Sequence, residues 1–220
     1  MYWQSGAAPQ RMRFSSNEIT QILVAVAALT LAFTISQLGG FYALQGGLGL
    51  AEVGLVAVAS LIAVLTAFLF HELAHKAVAQ RYGCFAEFRA FPMGLLLGIL
   101  TAAIGFLFAA PGAVMISGPV SPRQNARISA AGPGTNFALA GVFLGLAVAL
   151  SNGPPSWYVP FRIVASVGFV NLFLGGFNMV PFPPLDGSKI FAYNKPMWVA
   201  MVAILIVIGY VGWSFGVFAI

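Results

Sequence analysis

His71, Glu72 and His75 stand in the pattern H-E-x-x-H, within the pentapeptide His71-Glu72-Leu73-Ala74-His75. On a helix, positions i and i+4 share one face, so two imidazoles one turn apart can reach a single Zn²⁺. Glu72, on the adjoining face, can then exchange a proton with a water beside the metal. These are the chain's only two histidines. Acids are equally scarce: Asp186 is the single aspartate, and the glutamates are Glu18, Glu52, Glu72 and Glu87. Glu52 aside, the twenty residues before the motif (AEVGLVAVASLIAVLTAFLF) read as a membrane span. Ionisable groups are costly in lipid, and those retained there usually mark a site.

The elements that must position these groups are membrane helices. Hydrophobic residues make up 60% of the 220 residues, charged residues 7%, and the mean hydropathy is +0.94, values of an integral membrane protein. Apolar runs at Ile19–Leu38, Leu50–Phe70, Ile128–Leu150, Ile163–Val180 and Met197–Phe218 are each long enough to cross a hydrocarbon core of roughly 30 Å. A sixth run, Met93–Ala110, is bounded by Pro92 and Pro111 and carries Gly94, Gly98 and Gly105. The expected fold class is an all-α polytopic membrane protein of five to six transmembrane helices with a short membrane-associated β element. Residues 84–90 (CFAEFRA) and 112–117 (GAVMIS) are the candidate strands. A free edge of that sheet could accept an extended substrate as an added strand; closing the loop is the plainer role.

Lys and Arg collect in short cytoplasmic loops. If Met93–Ala110 is re-entrant or interfacial, all of the ten basic residues except Arg162 fall on one side, which places the amino terminus and the opening of the site in the cytoplasm. If it crosses, everything downstream inverts. The expected location is a multi-pass protein of the cell membrane. Residues 1–18 read as a cytoplasmic arm and 19–220 as one integral-membrane domain. The net charge of +5 suits cytoplasmic loops beside anionic lipid, and nothing resembles a nucleic-acid surface. A lone Cys84 rules out an internal disulfide, and Gly141 with Gly145 is a small-x-x-x-small pair expected to pack a neighbouring helix closely. The oligomeric state is not legible.

A catalytic zinc site takes three protein ligands, so the histidines need a partner. Glu18 and Glu52 are expected at the wrong ends of their helices, and Glu87 lies in the polar loop after the motif. Asp186 remains, in Asn178-Met-Val-Pro-Phe-Pro-Pro-Leu-Asp-Gly187. Pro181, Pro183 and Pro184 cannot continue a regular helix, so the chain should leave its span extended and turn at Asp186-Gly187, lining a wet cavity. The alternative at this point is an interfacial loop whose Asp caps the last helix.

H-E-x-x-H at the end of a span, followed by N-x-x-P-x-P-x-L-D-G matched at Asn178, Pro181, Pro183, Leu185, Asp186 and Gly187, resembles the site-2 protease family of intramembrane zinc metalloproteases. Gly132-Pro133-Gly134-Thr135-Asn136 is similar to the family's G-P-x-x-N element at the start of the intervening span. The three motifs cover the catalytic core, Leu50 to Ile190, in a minimal form without added soluble domains. The resemblance implies that His71, His75 and Asp186 hold one zinc ion per chain and that Glu72 is the general base and acid. It further implies that Asn136, Asn178 and the proline segment with Pro181 and Pro183 position substrate or the backbone of the site. The substrate would be a transmembrane protein or peptide within the lipid bilayer. An aspartyl protease would need a second aspartate, a serine type a histidine free of the metal, and a zinc site with a downstream glutamate ligand a glutamate after Glu87; the chain has none of these. The alternative from another class is a metal transporter or sensor using the same histidines, which would call for further polar ligands along several spans.

Overall fold

The computed structural model describes residues 12–41, 47 and 49–218; most of the expected amino-terminal arm, residues 1–11, lies outside them. Helix α1 (Ser16–Gln37) begins where the Ser15 hydroxyl accepts the Glu18 N–H at 3.0 Å. Helix α2 (Leu50–Ala63) runs through a π-helical turn (Val64–Leu69) into α3 (Phe70–Arg81), which carries the histidines. Strand β1 (Phe85–Ala90), helix α4 (Pro92–Ala103) and strand β2 (Gly112–Ser117) follow. Then come α5 (Pro122–Ser151), α6 (Tyr158–Asn178), the short α7 (Asp186–Tyr193) and α8 (Lys195–Ser214). Among the described residues, five helices are long and apolar enough to cross a membrane: Ser16–Gln37, Leu50–Arg81, Pro122–Ser151, Pro155–Asn178 and Lys195–Ser214. The chain is an all-α polytopic membrane protein, with one small two-stranded sheet among the described residues.

The sixth apolar run leaves the sheet and folds back to it. Strands β1 and β2 are antiparallel, with Phe85 opposite Ser117 and Ala90 opposite Gly112, so the segment between them leaves and returns at one end of the ladder. After α4 the chain reverses at Gly105, whose φ of +84° suits glycine, and runs back along the helix it has just left. Thr101 Oγ1 accepts the Phe108 N–H at 3.0 Å, and the Ala110 N–H reaches Gly94 O at 3.4 Å. A Cβ on Gly98 would stand 2.7 Å from the Ala109 Cβ, so the return depends on that glycine.

Three expectations change in detail. G-P-x-x-N lies well inside α5, because a capping box between Ser121 and Gln124, with Pro122 in the first turn, starts the helix ten residues before Gly132. Gly141 and Gly145 pack no neighbour among the described residues; both are exposed, with none of those residues within 4 Å of a Cβ placed there. The buried stripe of α5 (Asn136, Phe137, Ala140, Leu144, Ala147) points the other way, and the close approach comes instead from α6, where a Cβ on Gly168 would meet Leu144 Cδ2 at 2.8 Å. Finally, Met179–Leu185 is a run of turns and not an extended strand, and Asp186-Gly187 opens α7. The Phe182 N–H to Val180 O and Leu185 N–H to Phe182 O bonds, at 2.8 and 3.0 Å, satisfy the backbone locally where the prolines supply no donors.

Candidate metal centre

Helices α3, α5 and α7 meet at the histidines. His71 and His75 are both buried, with ring centroids 4.6 Å apart. His75 Nδ1 lies 2.7 Å from the Ile128 carbonyl, which can only accept, so Nδ1 carries the proton and Nε2 presents its lone pair to the site. Asp186 Oδ2 stands 3.3 Å from His71 Nε2 and 3.0 Å from His75 Nε2. Lys189, one turn along α7, places Nζ 3.7 Å from Asp186 Oδ1.

These three residues form the one group of metal-capable side chains among the described residues whose donor atoms all lie within 4.8 Å of one another. Donors about 2.0 to 2.2 Å from a tetrahedral zinc stand roughly 3.4 Å apart, close to the spacing here. The space beside them is kept open by Gly132 of α5, where a Cβ would stand 2.6 Å from His71 Nε2. Two imidazole nitrogens and one carboxylate oxygen converging on space that only glycine leaves free fit zinc with a fourth position for water.

Glu72 points to the sheet. Its Oε2 accepts the Val114 N–H of β2 at 2.9 Å, which leaves it beside the metal donors without joining them. Asn136 is fully buried and its amide donates to Ala67 O at 3.1 Å, tying α5 to the π turn just before His71. Asn178, Pro181 and Pro183 are not brought to the cluster. The Asn178 amide donates to Leu174 O in its own helix, and the two prolines are exposed, shaping the path into Asp186.

Several residues that position the site were not singled out from sequence. Asn171 is buried on α6 and donates to Thr66 Oγ1 in the π turn at 2.9 Å; an amide inside an apolar span was the available signal. Trp198 Nε1 donates to Met179 O at 2.8 Å, pinning the turn before Asp186. Glu18 is not remote from the motif as expected. The start of α1 packs against β1, and from there Glu18 forms a buried ion pair with Lys76, midway along α3 and the residue after His75.

No family model and no solved structure matches this chain. A protein of Methanocaldococcus jannaschii named "Putative zinc metalloprotease MJ0611" is 40% identical over 189 residues, which cover 84% of this chain and 89% of that protein. The chain belongs to this zinc metalloprotease family. A Mycobacterium tuberculosis protein named "Putative zinc metalloprotease Rip3" is 33% identical over 129 residues, 59% of this chain and 29% of its own length. "Zinc metalloprotease MJ0392", also of M. jannaschii, is 30% identical over 132 residues, 59% of this chain and 32% of its own. Membership is consistent with the site-2 protease resemblance and does not favour a metal transporter or sensor. The cofactor of this metalloprotease is Zn²⁺, for which His71, His75 and Asp186 offer the donor set.

Proposed function

We propose that the protein is an intramembrane zinc protease of the site-2 type, cleaving peptide bonds within or near transmembrane segments of membrane-protein substrates. His71, His75 and Asp186 are its metal ligands and Glu72 its general base and acid. The observation that carries this reading is the convergence of His71, His75 and Asp186 on one point, with Glu72, the residue after His71, kept out of that donor group by its hydrogen bond to the backbone of β2. Zinc bound at the three donors would supply a water of lowered pKa and polarise the substrate carbonyl.

Glu72 takes a proton from the attacking water and delivers it to the leaving amide nitrogen. The Ile128 carbonyl holds His75 in the tautomer that presents Nε2. A transmembrane substrate has its carbonyls engaged in its own helix and must unwind before cleavage. The outward edge of β2 offers an unwound segment the partners it has lost, and the Val114 contact puts that edge at Glu72. Asn136 holds the motif helix against α5. With the basic loops inside, the site opens to the cytoplasm.

The test uses purified protein with a panel of single-span substrates, with and without a zinc chelator. Glu72→Gln should retain zinc and lose cleavage, whereas Asp186→Ala should lose most of both. A Glu72→Gln protein that cleaves normally would end this mechanism.

A further inference from the structure

The Glu18–Lys76 pair is a buried ion pair in a chain with only five acids, and the chemistry above does not use it. Both side chains are about 1% exposed. Burying two charges is costly and seldom adds stability over an apolar packing, so this pair calls for another reason. Its connections supply one. Besides Lys76, Glu18 Oε1 accepts the Phe88 N–H of β1 at 2.9 Å. Phe88 stands directly opposite Val114 in the ladder, and the Val114 N–H on the other edge goes to Glu72. Glu72 and Lys76 are four residues apart on α3. One rung of the sheet is therefore gripped from both edges by two side chains one helical turn apart: Glu72 directly on β2, and Lys76 through Glu18 on β1.

The rest of the β1 edge is occupied as well. The Ala90 N–H donates to Gln21 of α1 at 2.9 Å, and Gln80 of α3 reaches the Ala86 carbonyl at 3.4 Å. The outward backbone groups of an antiparallel edge alternate along the strand, and Ala86, Phe88 and Ala90 are alternate residues. On β2 the corresponding outward positions are Gly112, Val114 and Ile116, and Glu72 on Val114 is the side chain that meets this edge among the described residues.

We propose that Glu18 and Lys76 are positioning residues for proteolysis: with Gln21 and Gln80 they close the β1 edge to substrate, and they fix the height of the sheet against Glu72. The substrate strand then adds only to β2, in a register that presents one peptide bond to the metal. This inference rests on the strand-addition reading above. A loosened sheet slides along the motif helix, and because strand side chains alternate, the favoured slip is two residues.

Single substitutions leave one buried charge unpaired and unfold the region for reasons unrelated to register. The test therefore uses two double variants in the full-length protein, Glu18→Gln with Lys76→Met and Glu18→Leu with Lys76→Met. The first keeps an oxygen for the Phe88 N–H; the second removes it. Both should bind zinc as the wild type does, since no metal donor is touched. With a single-span substrate, the Glu18→Leu/Lys76→Met protein should lose at least tenfold in kcat with less than threefold change in KM. Mass spectrometry of its products should show cuts displaced by two residues beside the native one. Glu18→Gln/Lys76→Met should recover most of the rate and the single cut. Wild-type kcat and a single cut in the Glu18→Leu/Lys76→Met protein would overturn the proposal. So would loss of zinc binding in either double variant, which would make the pair a structural support of the metal site. Failure of the wild type to cleave any substrate would instead overturn the protease reading on which this one stands.

Discussion

Replacing Gly132 by alanine tests the metal centre without touching a ligand. The new Cβ would stand 2.6 Å from His71 Nε2 and 2.6 Å from His75 Cε1, about 0.8 Å inside ordinary van der Waals contact. The helices cannot simply part to make room. One turn before Gly132, the Ile128 carbonyl holds His75 Nδ1 at 2.7 Å, and one turn after it the Asn136 amide holds Ala67 O at 3.1 Å. The rings must therefore rotate, moving donor atoms by several tenths of an ångström where zinc tolerates about 0.2 Å. A loss of zinc affinity of roughly 10- to 100-fold follows, about 1.4 to 2.8 kcal/mol, the size of effect seen when the support of a ligand is removed. Overpacking should separately cost about 1 to 3 kcal/mol of stability. The assay is competition for zinc against a chromophoric chelator in detergent, with circular dichroism to confirm helix content. Gly134→Ala is the control, since nothing lies within 4 Å of a Cβ at that position. Wild-type zinc affinity in Gly132→Ala would refute the placement of the metal between these rings and α5.

Gly187→Ala puts a Cβ 2.7 Å from the Val180 carbonyl oxygen, a backbone atom that cannot yield, so it should displace Asp186 and release zinc almost as fully as Asp186→Ala in a metal analysis of the purified protein. Trp198→Phe removes the bond to Met179 O and should cost about 1 kcal/mol in denaturant unfolding, with zinc binding weakened only slightly. Asn171→Leu removes the amide that meets Thr66 and should lower stability by about 1 kcal/mol, one hydrogen bond's worth, since the Thr66 hydroxyl still donates to Ile62 O; thermal unfolding would report it. Single cysteines replacing Gln124 and Ser188, in a Cys84→Ser background, should both label from the cytoplasmic side; labelling from opposite sides would break the topology.

The three candidate metal donors were legible in the sequence because scarcity isolates them. With two histidines and one aspartate in a lipid-facing composition, His71, His75 and Asp186 have few competitors, and H-E-x-x-H already specifies the shared helical face. The five long helices were legible for a related reason, since hydrophobic length across a bilayer is a local property of the chain. The two strands were found by alternation within short segments, but not what they touch. That Val114 meets Glu72 and Phe88 meets Glu18 depends on how α1 and α3 lie against the sheet. The same limit explains Glu18 itself, whose partner Lys76 is 58 residues away. It also explains Gly141 and Gly145, which carry a packing pattern on the face of α5 that α6 does not use. Spacing along a helix states which residues share a face, while which face is buried is decided by the neighbours that pack on it. Only the tertiary structure therefore showed Gly132 under the imidazoles, Asn171 on the π turn, and the start of α1 closing one edge of the sheet.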